Sequence, residues 1–130
     1  PEPFAVAGSL TIDFDGTTCR IRGEPPSSAG LAIVELRNRA PVTVYLMVGG
    51  AVPPKTWAEV VGWLNSADLS APDLAIPAWA IQVGGGTMAN AGETTTTMAT
   101  LPEGNLGVAC ATGEWPDFTF LDAGAFTTGG

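Results

Sequence analysis

The sharpest chemistry in this chain belongs to its two cysteines, Cys19 and Cys110, which lie far apart in sequence. As thiolates they could act as nucleophiles or soft metal ligands. In a reducing compartment both would be free; in an exported protein they would pair. No His or basic residue lies near Cys110 in sequence to lower its thiol pKa, so a buried structural role outweighs a redox role. Asp13, Asp15, Asp117 and Asp122 offer the hard oxygens that calcium prefers. Their spacing is not that of a calcium loop, and they read as solvated strand edges and turns. Gly84-Gly85-Gly86-Thr87 lacks the Lys and the following helix of a phosphate cradle. The serines have no His to activate them, and nothing near Lys55, the single Lys, supports a Ser–Lys pair. The chain is therefore expected to be no enzyme and to use no metal or cofactor.

The four tryptophans offer binding rather than catalysis. Trp57 falls on an apolar stripe and belongs to the core, and Trp79 is core or cover. Trp63 lies off that stripe, and Trp115 sits in a loop after Cys110. Aromatics in such positions either make partner or sugar contacts or cap an end of the sandwich. Phe4 and Val6 alternate in an apolar N-terminal arm and are further candidate contacts, suited to pairing at a sheet edge.

These residues need elements to hold them, and the pattern is that of strands. Leu10, Ile12 and Phe14 alternate with polar residues, Asp15-Gly16 is a turn signal, and Cys19 and Ile21 face inward. Leu31–Arg37 alternates as well. Val42–Val48 is nearly continuous in apolar residues, as expected of a doubly covered strand that Gly49 and Gly50 would end. Thr56 and Glu59 form a capping box ahead of Trp57, Val60, Val61 and Leu64, which predicts one short helix around residues 56–65. Trp79, Ile81 and Val83 alternate in a short strand or an extended cover. Ala91–Trp115 reads as a β-hairpin: a Thr-rich strand to Leu101, a turn at Pro102-Glu103-Gly104, and a return strand burying Leu106, Val108 and Cys110. A last strand is expected near Ala125–Thr128. The sum is seven to nine strands and one helix, an all-β Greek-key sandwich. An extended arm would occupy residues 1–9 and a single domain residues 10–130.

Whole-chain properties narrow the partners. At 130 residues and 45% hydrophobic content, the chain can bury a core without a metal. A net charge of −8, with five basic residues against 13 acidic ones, argues against nucleic acid and anionic lipid. No integral membrane segment is present; the longest apolar run, Val42–Val52, is too short. The chain opens on Pro1 rather than Met, so removal of a signal segment is expected.

On these residues the chain resembles the cupredoxin-like family. The likeness lies in Gly92-Glu93-Thr94, the strand to Leu101, the Pro102/Gly104 turn and the strand ending in Cys110, and earlier in the strand from Gly30 to Asn38. The resemblance implies a cupredoxin-like sandwich with Cys110 at the family's thiolate position. It does not extend to copper. A blue-copper site takes two His, a Cys and usually an axial Met. This chain has no His, carries Thr43 and Val44 near the first His position, and has Ala111 to Trp115 where the second would follow; its Met residues, Met47, Met88 and Met98, all precede Cys110. Phe14-Asp15-Gly16-Thr17-Thr18-Cys19 is similar to a copper-free, exported subgroup in which an early Cys pairs with the Cys of the last hairpin. That likeness implies a Cys19–Cys110 disulfide. The expected function is a non-catalytic structural or binding role outside the cytoplasm, whether secreted, periplasmic or at the cell surface. The partner would be a protein, a carbohydrate or copies of the chain itself. The alternative is a subunit of an extracellular filament or surface layer, built by strand addition through the N-terminal arm.

Overall fold

The computed structural model describes residues 6–84 and 86–129. Alternating apolar residues build β1 (Val6–Phe14), and a tight turn returns the chain as β2 (Cys19–Arg22). Asp15 makes that turn. Its Oδ1 accepts hydrogen bonds from the backbone N–H groups of Thr17 and Thr18 at 2.9 and 2.7 Å. Those donors, Thr18 foremost, hold the Asp15 carboxyl well below the usual carboxylate range. Then follow β3 (Gly30–Asn38), β4 (Val44–Ala51), α1 (Trp57–Ser66), β5 (Ala80–Gln82), β6 (Thr87–Ala89), β7 (Thr94–Leu101), β8 (Gly104–Thr112) and β9 (Thr119–Thr128).

The strands form two sheets, ordered β2-β1-β3-β7 and β5-β4-β8-β9, with β6 paired to β4 beside β5. β1 and β3 are parallel; the other ladders are antiparallel. Between the sheets lies the main core, where Leu10, Ile12, Phe14, Val34 and Leu36 meet Val44, Leu106 and Val108. The architecture is an all-β sandwich with one helix.

Several local expectations change, among them that β4 is covered on both faces, since Tyr45 is exposed, and that the last strand is confined to Ala125–Thr128, since β9 starts at Thr119. β7 and β8 share a turn but no ladder, because β7 pairs with β3 and β8 pairs with β4 and β9. The stretch Ala91–Trp115 is thus an arch between sheets and not a hairpin. Burial explains why. β7 alternates exposed residues with half-buried or buried ones, as suits a strand with one face in solvent. β8 is buried at every position from Leu106 to Ala111, as suits a central strand covered on both faces. Gly49 and Gly50 do not end β4; the strand runs on to Ala51. Finally, β1 begins at Val6, so Val6–Gly8, counted with the arm from sequence, pair with β3. Phe4 lies outside the described residues.

The helix rests on the outer face of the second sheet. Its capping box is formed: Glu59 N–H donates to Thr56 Oγ1 at 3.3 Å and Thr56 N–H to Glu59 Oε1 at 3.2 Å. Trp57, Val60 and Val61 are buried against Ala51, Ala109, Ala111 and Phe120, a second apolar cluster. Trp57 lies directly on backbone. A Cβ on Gly107 would stand 2.1 Å from Trp57 Cγ, and one on Gly49 would stand 2.9 Å from Trp57 Cζ3. The indole N–H donates to the Val108 carbonyl at 3.0 Å, so the ring's polar atom is satisfied in the seat.

Gly107→Ala is therefore expected to destabilise the fold by about 3 kcal/mol, through displacement of the indole. Gly62→Ala, at a helix position with open space around its Cβ, is expected to stabilise by about 0.5–1 kcal/mol. Urea unfolding of the two variants checks both signs.

Candidate functional site

Cys19 of the edge strand β2 and Cys110 of the central strand β8 are joined, with their Cα atoms 6.1 Å apart. Both are buried. The bridge fastens the first sheet to the second across 91 residues of chain. Its thiols are consumed, so Cys110 is not free as a nucleophile or thiolate ligand. At the end of β3, buried Asn38 organises the loops. Its Nδ2 lies 2.7, 3.1 and 3.0 Å from the carbonyls of Val42, Ala89 and Asn90, and its Oδ1 accepts from Ala40 N–H at 2.9 Å.

The donor set does not fit copper. The chain has no His, Val44 is fully buried in the apolar core, and Cys110 is in the disulfide. The acidic residues are not gathered either. Among the described residues no three of His, Cys, Asp and Glu stand together as a metal site would require. Asp13 pairs with Arg22 at 3.2 Å, Asp15 is held by its turn, and Asp122 accepts from Gly124 N–H at 2.8 Å.

The structure does bring Trp63 and Trp115 together, on the outer face of the second sheet. They line one apolar hollow of about 380 Å³ with Tyr45, Leu74, Phe118 and Phe120. A second hollow of about 320 Å³ adjoins it, reaching Ile81 and Trp57. Met47, Trp63, Leu64, Ile76 and Gln82 line both, so the two make one groove. Its volume is in the range of small-molecule sites.

Each wall has a local cause. β4 turns Tyr45 and Met47 outward because Leu46 and Val48 are buried on the other face. α1 presents Trp63 and Leu64, both half-buried, beside its buried stripe. The helix end is clasped to β9 by Asn65, whose Nδ2 donates to the Phe120 carbonyl at 2.9 Å and whose Oδ1 accepts from Phe120 N–H at 2.8 Å. In the sequence Asn65 marks only the end of the helix expected around residues 56–65. Phe118 is the centre of an aromatic group: edge-on contacts put its centroid 5.3 Å from Tyr45, 6.0 Å from Trp115 and 6.1 Å from Phe120. Trp115 is 63% exposed and Ile76 is 51% exposed. An apolar side chain left this open at the mouth of a groove is the mark of a contact surface.

Tyr45, Met47, Ile76, Phe118 and Gln82 escaped the sequence reading. Tyr45 carried a signal, a phenol within an otherwise aliphatic run, but its partners lie some 70 residues away in the chain (Phe118 and Trp115).

Searches among protein-family models and among curated proteins return no match. Solved structures do match. Reduced auracyanin from the photosynthetic bacterium Roseiflexus castenholzii superposes with a TM-score of 0.58 over 95% of this chain and 98% of that one, at 14% identity. Auracyanin B gives a TM-score of 0.53 at 15% identity, covering 100% of this chain and 93% of that one. The fold is that of the cupredoxins. The cupredoxin sandwich here carries a disulfide in its interior and an aromatic groove on its flank.

Replacing Cys19 and Cys110 together by Ser is expected to cost about 2–5 kcal/mol of stability. Reduction of the wild type should give the same loss. Copper(II) added to either protein should produce no intense visible charge-transfer band; such a band in the reduced wild type would overturn the donor-set argument.

Proposed function

We propose that this chain is a non-catalytic, exported binding domain whose ligand sits in the groove between α1 and the second sheet. The observation that carries the reading is the meeting of Trp63 and Trp115, distant in sequence, on one continuous apolar groove. The Cys19–Cys110 bridge supports an oxidising compartment. Among the described residues no helix is long and apolar enough to cross a membrane. A cupredoxin sandwich supplies the rigid support, since its second sheet forms one groove wall and seats α1, the other, while loops supply Trp115 and Ile76.

Nile red, an uncharged apolar dye, tests this directly. Its fluorescence should rise and saturate at one dye per chain. The double variant Trp63→Ala/Trp115→Ala should weaken uptake by about tenfold or more, because each indole contributes apolar contact at roughly 25 cal/mol per Å². Unchanged uptake in a double variant with native circular dichroism would refute the groove as the site.

A second reading is self-assembly by strand addition, favoured by β7. This edge strand, TTTTMATL, carries no charge, Pro or Gly over eight residues, and among the described residues its ladder is paired on the β3 side alone, the kind of edge that invites strand addition. Near one end it meets β6, where Thr87 and Thr95 hydroxyls are 3.4 Å apart. Because Val6–Gly8 are held by β3, the test removes residues 1–5 only. Under this reading light scattering after size exclusion should find polymers that vanish on that deletion. A monomer before and after would exclude it.

A further inference from the structure

The charges around the groove are one-sided. Four of the chain's five cations are Arg20, Arg22, Arg37 and Arg39. Arg20 and Arg22 lie on β2, Arg37 is on β3, and Arg39 follows β3 and donates its N–H to the Phe14 carbonyl; all belong to the first sheet. The fifth, Lys55, pairs with Glu59 at 3.4 Å and stands 5.0 Å from the centre of the Trp79 ring. Among the described residues none of these cations lines the groove. The carboxylates are placed differently. Asp68, Asp73, Glu114 and Asp117 are all exposed, and each is the chain neighbour of a lining residue, Leu69, Leu74, Trp115 and Phe118 respectively. The groove is thus walled mainly by aromatic and aliphatic carbon, with Gln82 among its lining, and the described residues next in the chain to its walls include these four carboxylates and no Lys or Arg.

That combination selects a ligand. Aromatic rings attract a cation through the negative potential of their faces, and carboxylates at the rim add a longer-ranged pull. An anionic amphiphile would meet repulsion, and a neutral one would gain only the apolar contact. We propose that the groove binds a small amphiphilic organic cation, its ammonium head beside Tyr45, Trp115 and Phe118 and its apolar tail along Met47, Trp63, Leu64 and Ile76. The head belongs at that end because Glu114 and Asp117 flank Trp115 and Phe118 in one loop. The tail runs the other way because the adjoining hollow is walled by aliphatic side chains and by the Trp57 and Trp63 indoles. A small molecule, rather than a protein surface, fits the concave shape and volume of the two hollows. The assignment rests on the binding role proposed above and gives it a ligand class.

The experiment uses three probes of equal chain length below micelle formation: decyltrimethylammonium, the uncharged decyldimethylamine oxide, and decyl sulfate. Binding is read by quenching of tryptophan fluorescence and by calorimetry on the oxidised chain. The ammonium probe should bind about fivefold or more tighter than the amine oxide, and the sulfate should bind weakest. Salt at about 0.5 M should narrow the gap by screening the exposed rim. Glu114→Gln/Asp117→Asn should reduce the ammonium affinity by about two- to fivefold and leave the amine oxide unaffected. Each methylene removed from the tail should weaken the ammonium by up to about fourfold. Equal binding of all three probes, preference for the sulfate, or no ammonium binding by a protein that still takes up Nile red would overturn the cation assignment while leaving the groove standing. Failure of Nile red uptake would remove the groove and the assignment together.

Discussion

The indole of Trp57 lying flat on glycine is the contact on which the outer layer of this molecule depends. A side chain of any size at Gly107 would occupy the space of the ring itself, and one at Gly49 would press on its far edge. With both positions empty of Cβ atoms, helix α1 approaches the sheet closely enough for the Trp57 N–H to reach the Val108 carbonyl. The small residues Ala51, Ala109 and Ala111 continue the same seat. Close packing of this kind leaves few alternatives for the helix, because a slight displacement loses the hydrogen bond and opens a void. The Asn65 clasp then fixes the far end of the helix to β9. Trp63 and Leu64 lie between these two fixings, so the groove wall is positioned by contacts that take no part in the groove.

The sandwich has a second tie at its interior. The chain has no imidazole with which a metal could tie strands of the two sheets together. Cys19 and Cys110 join the sheets instead, and Asn38 collects three carbonyls and one N–H from loops that would otherwise leave buried polar groups unpaired. A covalent tie needs no cofactor supply but does require an oxidising compartment for its formation.

Charge is distributed along with structure. The arginines serve the outer face of the first sheet, where Arg22 pairs with Asp13 and Arg37 with Glu35. The loops bordering the groove carry carboxylates alone. In an acidic chain this segregation makes one face close to neutral and the other strongly negative, a difference that total charge conceals.

By itself the sequence determined what is local. Alternation at period two, the Asp15 turn and the Thr56/Glu59 box were legible because strand pleat, turn geometry and helix capping act within a few residues. The all-β class followed, as did the absence of imidazole ligands, which is a matter of composition. Only the tertiary structure decided what is distant. Turn residues at Pro102-Glu103-Gly104 are compatible with a hairpin or an arch, and the choice fell to β8, whose small residues suit a central strand beneath a helix. Glycines that read as strand breakers at Gly49 and Gly50 proved to be clearance for an indole and for the neighbouring strand, a role defined by an approaching group encoded elsewhere in the chain. The groove was hidden for the same reason. Tyr45, Trp63, Ile76 and Trp115 come from four separate segments, and no pattern of spacing in one dimension records which side chains a closed sandwich will bring side by side.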